Sequence, residues 1–130
     1  MLEGVKPNMN KNDILNLKAK IDANSIKEGI FYPVQILVCV RDITPNKQRD
    51  SIRFEFQYNN KKTLKKYFAL ENEYDLTVIN QLAELCNIEY FEFDDLLNRL
   101  NEFIGKTVNV SYRFSKNPKN NQISKVLKFN

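Results

Sequence analysis

The sequence predicts a mainly β domain in which a helical segment separates the third strand from the fourth. Alternating apolar and polar residues, as expected of strands with one buried face, dominate the stretches before residue 71 and after residue 105. Between them, apolar residues recur at spacings of three and four, which is typical of helices that bury one side. Because 130 residues suffice for one hydrophobic core but not for two ordinary domains, we expect a single domain.

The chain begins with a polar stretch that we expect to lead into a short helix. Residues 1–12 are rich in Asn and Lys, show no periodicity and are expected to be flexible. Asp13 is a suitable N-cap for a helix over residues 13–23, whose apolar residues are three and four positions apart. The domain, with this N-terminal helix included, is expected to span residues 13–130.

Two strands are predicted next. The first covers residues 30–40. One of its faces is expected to carry Tyr32, Val34, Ile36, Val38 and Val40, and the other Phe31, Gln35, Leu37, Cys39 and Arg41. The second alternates over residues 52–58, so that Phe54 and Phe56 face the core while Arg53 faces outward.

A third strand is predicted over residues 61–70, after a turn at Asn59 and Asn60. Lys65 and Tyr67 are two positions apart, so their side chains leave the same, outward face. Lys66 falls on the core side of this strand. A lysine there indicates a strand end, a β-bulge or a shifted register.

Two helices are predicted in the segment over residues 71–105. We expect Asp75 to cap the first and Asn87 to end it. Its apolar stripe consists of Val78, Ile79, Leu82, Ala83 and Cys86. The second is expected to run from Asp94 to Gly105. The residues that it would bury are Leu96, Leu97, Leu100 and Ile104.

Two further strands are predicted, over residues 107–114 and 123–129, joined by a polar loop. Five strands with a helix between the third and the fourth is the order of elements in the OB-fold barrel. We therefore expect a five-stranded, OB-fold-like β-barrel with a helical insert between strands 3 and 4. Other small barrels and open α+β sheets share this order.

Several features predict a cytoplasmic protein. No apolar run approaches the roughly 20 residues that a membrane span requires. The first residues lack the basic start, the apolar stretch and the cleavage site of an export signal. Cys39 and Cys86 both fall on apolar positions, so we expect two buried, reduced thiols.

Charge is strongly segregated along the chain. Residues 71–105 hold nine carboxylates and one cation, Arg99. Residues 41–70 hold eight cations and three acids, and residues 106–130 hold six cations and no acid. The net charge of +4 therefore conceals a dipolar distribution. If the basic strands pair into one sheet, they form a cationic surface suited to a polyanion.

Catalysis has little support in the sequence. The chain has no His, which removes the commonest general base and metal ligand, and its three glycines cannot form a phosphate-binding loop. Glu92, Asp94 and Asp95 could be read as a metal site. Acids at a helix start are more simply explained by the helix dipole. We therefore expect neither an enzyme, nor a cofactor, nor a metal site.

Cations interleaved with aromatic residues indicate nucleic-acid binding instead. Lysine and arginine can follow the phosphates of a single strand while aromatic faces stack on its bases. The candidate nucleic-acid-binding residues are Arg41, Arg53, Lys61, Lys62, Lys65, Tyr67, Arg113, Lys116 and Lys119. The alternative is that the lysines are ordinary solvated strand residues, which also discourage edge-to-edge aggregation.

Parts of the chain resemble small phage-encoded single-stranded-DNA-binding proteins of the OB type. The resemblance is carried by Tyr74 to Ala83 (YDLTVINQLA), Phe93 to Leu97 (FDDLL) and Ile104 to Val110 (IGKTVNV), and it covers roughly residues 28–130. It implies a role in the DNA replication or recombination of a phage or mobile element. Two features depart from the family: the helix expected before the barrel, and a basic C-terminus in place of the acidic tail with which many bacterial relatives recruit partners.

The sequence thus predicts a non-enzymatic single-stranded-DNA-binding protein, with RNA a less favoured ligand and replication or recombination proteins as further partners. Homo-oligomer formation is left open. The alternative is a protein-interaction module, such as a phage-encoded inhibitor or adaptor, that places its acidic helical face against a basic surface. In that case Glu84, Glu89 and Asp95 would contact the partner.

Overall fold

The computed structural model describes residues 26–130, which form a mainly β fold. The predicted flexible segment 1–12 and helix 13–23 lie outside the described residues. The elements in chain order are β1 (Tyr32–Ile43), β2 (Asp50–Tyr58), β3 (Thr63–Ala69), α1 (Glu73–Leu85), α2 (Phe93–Leu97), a 3₁₀ helix (Leu100–Phe103), β4 (Thr107–Lys116) and β5 (Ile123–Phe129). The predicted order of strands, with helices after the third, is confirmed.

The five strands form one antiparallel sheet in the order β3-β2-β1-β4-β5. The edge strands β3 and β5 are not hydrogen-bonded to each other, so the sheet is not closed. We call the gap between them the seam. Aromatic rings bridge it on the core side, because Phe129 of β5 lies 6.5 Å from Phe68 of β3 between ring centroids.

Five phenylalanines form the centre of the core. Phe54 stacks on Phe56 at 5.6 Å and meets Phe68 and Phe103 edge to face at 5.5 and 5.2 Å. Phe129 lies 5.3 Å from Phe56. All five are buried. The alternation predicted for β2 is confirmed, because each of its core-side positions is buried.

A β-bulge interrupts β1, where the register against β2 shifts between Ile36 and Val38. After the bulge Cys39 enters the core, with 2% of its surface exposed, while Val40 is 38% exposed. The predicted unbroken alternation is therefore wrong beyond Ile36, because one extra residue reverses the side-chain parity of everything that follows.

Helix α1 begins three residues earlier than predicted. Its N-cap is Asn72, whose side chain accepts a hydrogen bond from the Asp75 N–H at 3.1 Å, so the predicted cap at Asp75 is wrong. Both residue types are good caps. The predicted helix end at Asn87 is confirmed, because Asn87 adopts the left-handed conformation (φ 58°).

Polar side chains of α1 attach this helix to the ends of both edge strands. The Asp75 carboxylate accepts a hydrogen bond from the Ala69 N–H of β3 at 2.9 Å. The Gln81 amide donates to the Phe129 carbonyl of β5 at 3.0 Å. The helix also buries Ile79 and Leu82 in the core. Helix α1 therefore covers one end of the seam. Within residues 26–130 no helix or strand covers the other end, which we call the open end.

The second predicted helix is broken into α2 and the 3₁₀ helix. Because the break changes the helical phase, Phe103 is fully buried, whereas Ile104, predicted to be buried, is 47% exposed. Leu96 and Leu100 are buried as predicted. Gly105 ends the segment with φ 89°, a conformation that glycine adopts without strain.

Both cysteines are free and buried, as predicted. Burial raises the pKa of the Cys39 thiol to about 12, with a further contribution from Cys86. None of the helices found in residues 26–130 is long and apolar enough to cross a membrane.

Candidate nucleic-acid interface

The β2–β3 hairpin presents the predicted outward face. Its register pairs Arg53 with Tyr67 and Glu55 with Lys65, so these four side chains share one side of the sheet. The predicted common face of Lys65 and Tyr67 is confirmed. We refer to this surface as the hairpin face.

Acidic residues neutralise much of the hairpin face. The Arg53 guanidinium lies 2.8 Å from the Asp42 carboxylate and also pairs with Glu55. The pKa of Asp42 is lowered, mainly because its carboxylate accepts a hydrogen bond from the Ile43 N–H. The hydrogen bond from Arg53 and the charge of Lys65 lower this pKa further. Two acids therefore accompany the two cations of this face, and a phosphate would have to compete with them.

Arg41 lies apart from the hairpin face. The bulge in β1 places it opposite Ile52, on the core-side face at the end of the sheet. There its guanidinium forms two hydrogen bonds with Asp50, at 3.1 and 2.6 Å. These bonds are the main reason that the pKa of Asp50 is lowered. The structure therefore does not bring Arg41 together with the other predicted binding residues.

In the described part of the chain, most arginines form ion pairs and the lysines do not. Within residues 26–130 the ion pairs involve Arg41, Arg49, Arg53 and Arg99. No lysine of this part of the chain takes part in one, and neither does Arg113. Residues 56–70 and 106–130 contain ten cations and no acid. These two segments include the edge strands, so the unpaired positive charge is concentrated on both sides of the seam.

A groove of about 320 Å³ lies at the open end of the seam. Lys62, near the start of β3, and Lys125, on β5, lie on opposite sides of it. Tyr58, Leu64 and Tyr112 contribute to its wall. We call it the seam groove. It combines two cations with aromatic and aliphatic surface, which is the chemistry that a base and its phosphate require.

Aromatic residues extend the seam groove onto the β4–β5 hairpin. The Lys125 ammonium lies over the Tyr112 ring at 4.4 Å, and Tyr112 meets Phe114 edge to face at 5.6 Å. Phe114 is 55% exposed. The Tyr112 hydroxyl donates to the Ile26 carbonyl at 3.0 Å, which fixes its ring. Phe114 is thus a large aromatic surface beside an unpaired cation.

The seam also explains why a lysine, Lys66, is found on the core side of β3. This residue pairs with Phe54 in a regular register, so it does point to the core side, and neither a bulge nor a register shift is present in this pairing. Its ammonium lies 5.8 Å from the Phe68 ring, and the side chain lines a second, smaller cavity at the seam together with Lys125. A lysine is tolerated there because β3 is an edge strand next to the seam.

The remaining predicted cations are distributed over the two hairpins. Lys61 lies in the β2–β3 turn with a positive φ of 71°, and Lys119 lies in the β4–β5 turn. Lys116 is opposite Ile123 at the end of the β4–β5 pair, and Arg113 is on the outer face of β4. All four are exposed. The sequence-based selection did not include Lys66, Lys125 and Phe114, which lie at or beside the seam, although the anomalous parity of Lys66 was a usable signal.

The acidic residues of the alternative interpretation occupy the helical segment. Glu84 and Glu89 line an open groove of about 690 Å³ beside Phe91. Asp95 accepts a hydrogen bond from Arg99 at 3.2 Å. In the described part of the chain, no group of three or more His, Cys, Asp or Glu side chains is arranged to hold a metal ion.

Comparison with protein-family models finds no family that matches this sequence. A search of curated proteins likewise finds no significant match.

Proposed function

We propose that the protein is a non-enzymatic, cytoplasmic single-stranded-DNA-binding protein of the OB type. The strand order supports this fold, because β1, β2 and β3 form a meander, helices follow, and β4 pairs with β1. OB-folds are five-stranded barrels that are partly open. Closure between β3 and β5 would complete the barrel. The family resemblance adds a role in phage or mobile-element DNA replication or recombination.

The observation that carries the proposal is the positive charge without ion-pair partners in residues 56–70 and 107–130, on both sides of the seam. The nine cations of residues 56–70 and 107–130 can follow a phosphate backbone without displacing internal ion pairs. The nearest carboxylate to the Phe114 backbone is that of Glu28, which accepts a hydrogen bond from the Phe114 N–H at 2.9 Å. The exposed ring of Phe114 and the groove wall supply surfaces on which unpaired bases can stack. A duplex keeps its bases stacked on each other and cannot use these surfaces.

The preferred path of the strand is along the open end of the seam. Lys62 and Lys125 would contact phosphates on either side of the groove, and Phe114 would stack on a base. Lys61, Lys116, Lys119 and Arg113 would extend the path over both hairpin ends. The hairpin face around Tyr67 is the second candidate path, and it is less favoured because Asp42 and Glu55 accompany its cations.

Salt dependence and strand selectivity test this function. If the strand neutralises about four to six cations, the logarithm of affinity should fall against the logarithm of salt concentration with a slope of roughly −3 to −4. Fluorescence anisotropy with labelled single strands, matched duplex DNA and RNA would measure this. A flat salt response, or equal affinity for duplex DNA, would contradict the proposed interface.

Two aromatic substitutions distinguish the two candidate paths. We expect Phe114→Ala to weaken single-strand binding by about 1 to 3 kcal/mol, because one stacking platform is lost. Tyr67→Ala should leave the affinity nearly unchanged. Both variants need thermal melts, since Tyr67 is half-buried. The opposite result, with Tyr67→Ala weakening binding and Phe114→Ala silent, would place the strand on the hairpin face.

A further inference from the structure

Phe91 is the most exposed large apolar side chain of the described residues, at 95%. It lies in the loop over residues 87–92, between α1 and α2, which we call the Phe91 loop. Single exposed apolar residues are common on protein surfaces. A phenylalanine with nearly all of its surface in water, however, has a large apolar area available for contact with another molecule.

The backbone on both sides of Phe91 is held in place. The Ile88 N–H donates to the Ala83 carbonyl at 2.9 Å, and the Ile88 side chain is buried. Arg99 donates to the Glu89 carbonyl at 2.6 Å. Tyr90 is hydrogen-bonded to Asn80 through its hydroxyl. A side chain presented by a rigid loop loses little conformational entropy when it binds, which favours its use as an interface anchor.

Acidic residues surround this anchor. Glu89 and Glu92 flank Phe91 in the loop, and both are exposed. Between residues 84 and 98 there are five carboxylates and no cation. The Phe91 loop is therefore an aromatic side chain between negative charges, and it fits a groove with an apolar wall and a positive rim.

The same protein carries such a groove. The seam groove has Tyr58, Leu64 and Tyr112 in its wall and two unpaired cations, Lys62 and Lys125, at its sides. Its volume of about 320 Å³ is at the lower end of the range of small-ligand pockets. We propose that the Phe91 loop of one copy docks into the seam groove of a second copy. Phe91 would enter the groove, with Glu89 and Glu92 facing the two lysines.

The contact joins two different surfaces, so each copy can bind one neighbour through its Phe91 loop and another through its seam groove. Such head-to-tail contacts generate rings or open chains of copies, depending on whether the rotation between neighbours closes. Phe91 does not occupy the groove of its own copy, since it is 95% exposed. One aromatic anchor with a few exposed charge pairs makes a small interface, so the association should be weak and salt-sensitive. It does not depend on DNA binding, although both would use the seam groove.

Sedimentation velocity without DNA tests the contact. At high protein concentration the wild type should sediment as a concentration-dependent mixture of assemblies at about 50 mM salt and dissociate at about 500 mM. Phe91→Ala should weaken the association at least about tenfold, as expected for an interface anchor. Ile43→Ala, which removes another exposed apolar side chain away from both surfaces, is the matched control and should have no effect.

Charge reversal on each surface makes the test specific. A loop variant (Glu89→Lys, Glu92→Lys) and a groove variant (Lys62→Glu, Lys125→Glu) should each fail to self-associate, because like charges then face each other. An equimolar mixture should associate again, since each loop then meets a groove of opposite charge. A merely unfolded variant could not restore assembly, so the mixture also controls for folding.

Four results would overturn the proposal. The first is a wild type that stays monomeric at low salt. The second is association that survives Phe91→Ala or is lost equally with Ile43→Ala. The third is a mixture of the two reversed variants that remains monomeric. Nuclear Overhauser contacts between the Phe91 ring and residues 1–25 of the same copy would likewise exclude docking into a second copy. Because no DNA is present, none of these results bears on the proposed DNA binding.

Discussion

Phe129→Ala should destabilise the protein by about 3 to 5 kcal/mol, the usual cost of removing a buried phenylalanine ring from a core. Phe129 is 4% exposed and lies 5.3 Å from Phe56 and 6.5 Å from Phe68. These contacts join β5 to β2 and β3 although no backbone hydrogen bonds close the seam. The substitution should therefore release the edge strand β5 as well as leave a cavity.

Chemical denaturation measures the effect, with Phe91→Ala as the matched control. Both substitutions remove the same ring, but Phe91 is 95% exposed, so its removal should change stability by less than about 0.5 kcal/mol. High salt should be used so that self-association does not contribute. If Phe129→Ala costs less than about 1 kcal/mol, the ring is not a major link between the edge strands.

The elements that could be predicted from the sequence are those whose pattern is set by burial on one side. In β2, Phe54 and Phe56 alternate with Arg53, and only one register buries the phenylalanines. The same parity correctly places Lys65 and Tyr67 together, because the β2–β3 pairing is regular. The stripe of α1 likewise identifies Ile79 among its buried residues.

The failures have local physical causes that a sequence pattern does not contain. The bulge between Ile36 and Val38 lets Cys39 enter the core. Because both faces of β1 carry apolar residues, the sequence pattern does not reveal that the two faces exchange at the bulge. Asn72 and Asp75 are both competent caps. Asn72 takes the cap position because the Asp75 carboxylate binds the Ala69 N–H of β3 instead, a contact that depends on how α1 docks.

The sequence identifies which segments of the chain are basic. It does not show which of their side chains lie together on one surface or which cations are neutralised by acids. Arg53 forms an ion pair with Asp42, which is eleven residues away in sequence. Only the β1–β2 register shows that this arginine is neutralised and is not a free cation. Phe114 is exposed because the strand pairing of β4 with β1 ends at Val110, so the tip of the β4–β5 hairpin extends beyond β1. The seam groove joins residues that are far apart in sequence.

Reversing two charges at the seam groove should have the largest effect on DNA binding. In Lys62→Glu, Lys125→Glu, two proposed phosphate contacts become repulsive, so we expect single-strand affinity to fall at least about 100-fold at low salt. Losing two contacts should also make the salt slope shallower by about 1.4. The loss should shrink as salt rises, because screening weakens repulsion as well as attraction.

The control for this variant is Lys47→Glu, Lys106→Glu, which reverses two exposed lysines outside the groove. Each double variant lowers the net charge from +4 to 0, so the two differ only in where the charge is lost. Titration of a labelled oligothymidine in an anisotropy assay, with thermal melts of both variants, compares them. If the control loses as much affinity as the groove variant, net charge rather than the seam groove attracts DNA. If the groove variant binds like the wild type, the strand does not pass between Lys62 and Lys125.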